Sequence, residues 1–225
     1  MRKIKNKLIL ILMIISLIGV GFATWSIYVP IDDATEGGDF VVDDVVLVEA
    51  LSSPVFDTEL RYNKNGFFTQ HTYNPTDQSF TSKTYDKIKY SIDVNLPLCK
   101  EKLGDADSFN VRIRLKPNAE FENLNDILEL IGVKVSIDNL DNYSVNTKID
   151  ETINEIIVNV SIPKSNVGTV VSKVSVTYDF SNVSIKENDS LLAVKKSFFN
   201  KLTEVQEDRA FIVAASLYAI YDENK

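Results

Sequence analysis

The sequence predicts a mainly β protein: an antiparallel two-sheet sandwich, jelly-roll-like, with one or two short helices and an N-terminal hydrophobic signal helix. Three observations predict it. Several segments alternate apolar and polar residues with a period of two, the pattern of half-buried strands. Only two stretches carry a clear helical period. The chain also has a single cysteine, so an internal disulfide cannot stand in for a packed core. About seven such strands with few helices fit two stacked sheets. A closed barrel is the other way to dispose of sheet edges.

The N-terminus reads as an export signal. Arg2, Lys3, Lys5 and Lys7 precede an apolar run from Leu8 to Val20. Gly21-Phe22-Ala23 then offers small side chains for a cut between Ala23 and Thr24. The alternative is an uncleaved anchor, because the 24 residues from 8 to 31 carry no charge and are long enough to span a bilayer. Residues 8–29 would then sit in the membrane, with the basic flank on the cytoplasmic side. Both readings export the body, which is secreted or held at the cell surface. The expected segments are 1–23, signal peptide or anchor; 24–38, an N-terminal extension; and 39–225, the sandwich domain.

Phe40 to Val48 is Val-rich and broken by Asp43-Asp44, which suggests a strand with a bulge or bend. Residues 50–85 carry Pro54, Gly66 and Pro75 and read as a long connection with one hairpin. Lys87 to Leu96 alternates throughout and predicts a strand, with Cys99 as a small core residue at its end. Phe109 to Leu115 and Lys173 to Phe180 alternate in the same way. Val133 to Ile137 and Ile156 to Ile162 do so more weakly. Leu124, Ile127, Leu128 and Ile131 predict a short helix, with Asn123 as N-cap and Gly132 as the stop. Leu191, Val194, Phe198, Leu202 and Val205 predict a second amphipathic helix capped by Asp189 or Ser190, its apolar stripe packed on the core. Phe211 to Tyr221 is continuously apolar, and periodicity alone leaves strand and helix open.

The search for chemistry narrows the functional classes. The formal charge is −8, from 24 basic and 32 acidic residues. Four of the basic ones lie in the first seven residues, so residues 24–225 carry 20 against 32, or −12. An acidic body excludes a nucleic-acid partner held by clustered Lys and Arg. His71 is the only histidine. One His and one Cys exclude a two-histidine zinc site. His71 would need a Ser or Asp beside it to act as a general base, and it reads as exposed or structural. There is no G-x-S-x-G, G-x-G-x-x-G or phosphate-binding loop. The pairs Asp32-Asp33, Asp43-Asp44, Asp105 with Asp107, and Asp138 with Asp141 lack the spacing of a calcium loop and read as solvated turns. N-x-S triplets occur at Asn142, Asn159, Asn182 and Asn188; Asn159 falls inside a predicted strand, a poor acceptor site. The sequence therefore names no catalytic residue, no cofactor and no metal ligand.

Two segments carry a family resemblance. Ile18-Gly19-Val20-Gly21-Phe22-Ala23-Thr24-Trp25-Ser26-Ile27-Tyr28 resembles the region where exported proteins of the TasA/camelysin type are cut by a dedicated, SipW-like signal peptidase. Ala214-Ala215-Ser216-Leu217-Tyr218-Ala219-Ile220-Tyr221 is similar to their closing strand, with Tyr221 where Gln is usual. The resemblance implies a strand over Phe211 to Tyr221 and a sandwich on the cell surface. It also implies fibres formed when one protomer donates an N-terminal strand to its neighbour. Residues 24–38 are the candidate donor, with Trp25, Ile27 and Val29 on one face and Pro30 limiting the pairing. The function expected first is thus a self-associating surface or extracellular-matrix structural protein, not an enzyme. The alternative is a binding module for carbohydrate or a surface polymer, motivated by Trp25, Tyr62, Phe67, Phe68 and Tyr73. A hydrolase is the third reading, because camelysin-like proteins have been described as proteases; the missing metal ligands speak against it.

Overall fold

Period-two alternation becomes pairing in the computed structural model, which describes residues 45–221 apart from 54, 59, 119, 122, 168–169 and 206–209. These residues lie in the second of two compact units, Asp43–Lys225. The signal helix, the Ala23–Thr24 junction, the donor residues Trp25, Ile27 and Val29, and Asp32-Asp33 all lie outside the described residues.

One sheet has five strands: β1 (Val45–Val46), β8 (Ser108–Pro117), β10 (Ser144–Asp150), β11 (Glu155–Pro163) and β13 (Phe211–Ile220), in the order β1-β13-β8-β11-β10. The other has four: β2 (Val55–Phe56), β7 (Lys87–Val94), β9 (Gly132–Ile137) and β12 (Ser172–Asp179), in the order β2-β7-β12-β9. Two hairpins form small sheets of their own, β3 (Tyr62–Asn63) with β4 (Gly66–Phe67), and β5 (Thr69–Asn74) with β6 (Ser79–Thr84). Every pairing is antiparallel. Three pairs nest: β1 with β13, β7 with β12, β8 with β11. Nested pairing split between two sheets is the path of a long ribbon folded over itself, as in a jelly roll. β10 follows β9 in sequence but joins the opposite sheet, so each is the last strand of its own sheet.

The inner faces interlock. Phe109, Val111, Ile113 and Leu115 of β8 are fully buried, as are Val158, Val160 and Ile162 of β11. Tyr90 and Val94 of β7 meet them from the other sheet with Val174, Val176 and Tyr178 of β12, all in one core cluster. Three helices close the ends: α1 (Leu96–Lys102), α2 (Leu124–Leu128) and α3 (Leu192–Glu204).

Several sequence expectations change. Cys99 is buried but lies on α1, not at a strand end. Asn95 caps that helix by accepting the Leu98 N–H at 3.1 Å, and Pro97 stands in its first turn. Asn123 stands at the N-cap position of α2, but it sits at φ 55° and makes no side-chain cap bond. Gly132 opens β9 instead of stopping the helix, which ends at Leu128. Neither Asp189 nor Ser190 is the N-cap of α3; that position is Leu191. Asp189 instead accepts the Leu191 N–H at 3.0 Å and pairs with the buried Lys195, which also donates to the Ser184 carbonyl at 3.3 Å. The segment 50–85 holds two hairpins and β2 in place of one hairpin. The strand expected over Phe40 to Val48 pairs only at Val45–Val46 and passes into a 3-10 turn at Val48–Ala50; residues 40–44 lie outside the described set. Phe211–Ile220 is a strand.

Two outcomes follow from the core. The hydroxyls of Tyr90 and Tyr178 are buried without a hydrogen-bond partner. Burial pushes the Tyr90 phenol up to about 12, and Tyr178 is raised as well by burial and by its neighbour Tyr90. Both therefore stay neutral at physiological pH. Tyr178→Phe removes an unpaired buried group and is expected to leave stability unchanged or higher. A loss of more than about 1 kcal/mol in denaturant unfolding would show that the hydroxyl is satisfied. At Asp189 the Lys195 hydrogen bond holds the carboxyl below its ordinary 3.8. That contribution is complete above 3.8 and disappears as pH falls through the lower folded value. Asp189→Asn should melt below the parent at neutral pH, and thermal scans should show the gap closing in acid.

Candidate contact site

The feature that stands apart from the sandwich is built from residues 61–85. Its base is β3–β4. Asn63 Oδ1 accepts the Asn65 N–H at 2.8 Å, and Gly66 turns the chain at φ 133°, a conformation open to glycine. Phe67 then places its ring 4.9 Å from Phe199 and 6.3 Å from Phe180. Tyr62 is half-buried beside it, its phenol raised by burial. Backbone bonds tie the base together: Phe68 N–H to the Arg61 carbonyl at 2.7 Å, Arg61 N–H to Tyr85 at 3.1 Å, and Tyr85 N–H to Phe68 at 3.0 Å. The Arg61 guanidinium lies 4.3 Å and the Lys83 ammonium 5.0 Å from the Tyr85 ring centre.

From this base β5 and β6 extend as an arm, exposed along nearly their whole length. An isolated two-stranded hairpin is marginal in water, so its cross-strand pairs matter. One face carries Thr69 with Thr84 at 3.0 Å, His71 with Ser82 at 2.8 Å, and Tyr73 with Phe80, ring centres 5.0 Å apart. The other pairs Gln70 with Lys83, Thr72 with Thr81, and Asn74 with Ser79. The tip is locked by Asn74 Oδ1, which accepts the Thr76 N–H, and by Asp77 Oδ1, which accepts from the backbone and hydroxyl of Ser79. Phe80 is 72% exposed, the highest of the exposed large apolar side chains among the described residues; Tyr73 is 51% and Phe68 48% exposed.

The five aromatics singled out by sequence therefore divide. Phe68 and Tyr73 are displayed on the arm, Tyr62 and Phe67 anchor it, and Trp25 lies outside the described residues. Phe80 was missed. A signal existed in Asn74-Pro75-Thr76-Asp77, a turn tetrad between two Thr-, Ser- and aromatic-rich runs. His71 does have a serine beside it. Catalysis at such a pair draws on a water-excluded site with donors for the developing charge, and here both side chains are exposed.

A second feature is concave. Between β9 and β10 a groove of about 250 Å³ is lined by Leu128, Ile131, Val133, Thr147, Ile149 and Ile156, with Glu129 and Lys148 at its margin. Leu128, Ile131 and Ile156 form a buried floor. A third is the open edge of β13. The Leu217 carbonyl accepts the Leu47 N–H at 3.1 Å, so Leu217 faces β1. Backbone direction alternates along a strand, so Ala215, Val213 and Phe211 face the same way. β1 ends its pairing opposite Tyr218, which leaves these three rungs open among the described residues.

On the outer face of the five-stranded sheet, Arg112, Asn159 and Tyr218 meet across three strands. Arg112 Nε donates to Asn159 Oδ1 at 3.0 Å and the guanidinium stands 4.8 Å from the Tyr218 ring centre. Asn159 is thus held mid-strand. Among the described residues no three His, Cys, Asp or Glu side chains gather as a metal site, and no helix is long and apolar enough to cross a membrane.

No family model and no curated protein matches the sequence. Among solved structures, the collagen-binding domain from a Staphylococcus aureus adhesin matches with 11% identity and a TM-score of 0.21, covering 50% of this chain and 73% of that one. At that level the likeness bears on neither ligand nor mechanism.

Phe67 is the link between arm and body. Phe67→Ala should cost about 2 kcal/mol, less than a fully buried Phe because Phe67 is half-buried. Limited proteolysis should then cut first within residues 61–85; an unchanged cleavage pattern would mean that the arm is held elsewhere.

Proposed function

We propose that this chain is an exported surface protein that works by contact rather than by catalysis, and that the β5–β6 arm is its contact element. One observation carries the reading: an aromatic pair, Tyr73 and Phe80, displayed on a projecting two-stranded arm. Exposing rings costs hydrophobic free energy, and Tyr, Trp and Arg dominate the energetics of contact surfaces. The export signal, the acidic body and the resemblance to TasA/camelysin proteins support an address at the cell surface or in an extracellular matrix. Hydroxyl groups of Thr69, Ser82 and Thr84 share the face of the rings, a mixture that suits a carbohydrate or surface polymer.

The test is co-sedimentation of the full chain with insoluble cell-wall polysaccharide, and retention at the surface of expressing cells. Tyr73→Ser with Phe80→Ser should lower both at least about tenfold, the cost of losing one or two aromatic anchors, with an unchanged melting temperature. His71→Ala should leave both intact. Equal retention of the aromatic double variant would remove the arm from the function.

The open edge of β13 favours a second reading, fibre assembly by strand donation. An uncovered run of strand amides is a template for another chain, and residues 24–38 are the donor implied by the family resemblance. Ala215→Pro removes one outward-facing N–H at an edge where proline is tolerated. It should abolish fibres seen by electron microscopy without unfolding the sandwich. N-terminal sequencing of the exported protein should begin at Thr24 if the donor is released; an intact Met1 would keep residues 8–29 as an anchor.

A further inference from the structure

We propose that the outer face of the five-stranded sheet binds a linear acidic polysaccharide through Arg112, Arg114, Lys116 and Lys148. This surface contains no residue of the arm, so it stands independently of the contact reading above. Alternation builds it. Phe109, Val111, Ile113 and Leu115 of β8 are buried in the core, so Asn110, Arg112, Arg114 and Lys116 point outward. Register carries the face across the neighbouring strands. Arg114 pairs with Ile157, and Ile157 with Lys148, so two cations flank a buried isoleucine on one rung. On the next rung Arg112 lies between Asn159 and Ser216, with Asn146 beyond Asn159.

Charge names the chemistry of the occupant. The four cations share this face with two carboxylates, Glu155 and Asp150, a net +2 on a chain of −8. Arg114 and Lys116 both approach the buried Glu155 at 3.9 Å, too far for a hydrogen bond. Their side chains are 40% and 56% exposed, so their donors still face water. Lys148 is exposed and has no ion-pair partner among the described residues. The outer face of the four-stranded sheet is built the other way: Lys87 meets Asp179 at 2.9 Å and Lys89 meets Asp57 at 3.5 Å. Arg112, held by Asn159 and Tyr218, continues the row begun by Lys116 and Arg114. These three step by two residues, about 7 Å apart along the strand, which suits an anion repeated along a polymer. Guanidinium forks match carboxylates, and the amides of Asn146 and Asn159 with the hydroxyls of Ser144 and Ser161 match the hydroxyls of a sugar. The acidic remainder of the body does not cancel the attraction. Charges farther than about 8 Å are largely screened at physiological salt, and the two sheets alone stand about 10 Å apart.

The test uses the full chain and beads carrying polygalacturonate, with dextran beads as the neutral control. The chain should be held on polygalacturonate, released as salt rises, and pass over dextran. Lys148→Glu, an exposed change on an edge strand, should weaken retention about fivefold or more at an unchanged melting temperature. Lys134→Glu makes the same charge change on the exposed outer face of β9 in the other sheet and should alter retention by less than about twofold. Arg114→Lys keeps a cation facing Glu155 but loses the planar fork, and should also weaken retention. No retention above dextran, or equal losses with Lys148→Glu and Lys134→Glu, overturns the proposal. So does inorganic polyphosphate competing better than free polygalacturonate at equal charge, which would assign the face to phosphate. Tyr73→Ser with Phe80→Ser should leave this retention unchanged. If that variant abolishes it and Lys148→Glu does not, the arm carries the acidic sugar and the sheet face is excluded. If Lys148→Glu acts alone and sedimentation with wall polysaccharide survives loss of the rings, the face stands and the arm reading fails.

Discussion

The rest of the structure depends on an aromatic cluster centred on Phe199. That ring is fully buried and stacks edge-on with Phe67 at 4.9 Å and Phe198 at 5.5 Å. Phe180, at the end of β12, reaches Phe211, at the start of β13, at 5.2 Å, and Phe198 reaches both Phe211 and Phe121. Five separate parts of the chain thus meet at one end of the sandwich: the base of the arm, the approach to α2, α3, the exit of β12 and the entry of β13. Edge-to-face rings resist sliding because their quadrupoles favour particular angles. The cluster closes the core and gives an otherwise marginal hairpin a fixed root.

The root explains why the arm can be so polar. A hairpin that supplied its own stability would need an apolar face and would bury it. Here Phe67 and Tyr62 do the anchoring, and the strands beyond them are released to carry Thr, Ser, His, Gln and Asn. The cross-strand pairs Thr69–Thr84 and His71–Ser82 are modest contributions. They hold register, and register is what keeps Tyr73 and Phe80 on one face, since a slip of one residue would send them to opposite faces.

Legibility in the sequence follows burial. Lys87–Val94, Ser108–Pro117 and Ser172–Asp179 are flanked on both sides by other strands and bury one face, so their alternation is strong and was readable. β10 was not readable because it is an edge strand, exposed through Lys148; Val145, Thr147 and Ile149 alternate with polar residues but too few of them are apolar. α1 hid behind β7, since Leu96 and Cys99 continue the apolar pattern into a helix; Asn95 and Pro97 were its markers. Asn123 is at the N-cap position as its sequence suggests, but asparagine serves both N-caps and left-handed turns, and here its left-handed backbone takes the place of a cap bond. The arm was half-seen, as exposed aromatics in a turn-rich region. Its pairing joins residues five to fifteen apart, with little apolar patterning to announce it.

Charge then decides how three open surfaces coexist on one body. The free rungs of β13, the groove between β9 and β10, and the arm's rings each invite association, and unrestrained they would drive aggregation. A body of −12 from residue 24 onward opposes close approach in most orientations. The repulsion is relieved where a basic element meets an acidic one, and Arg61, Lys64 and Lys83 are gathered at the root of the arm. The same residues also brace the root, since Arg61 and Lys83 pack against Tyr85. Neutralising them would therefore loosen the arm and remove its orientation together. An acidic surface with one basic projection makes encounter selective before any apolar contact forms.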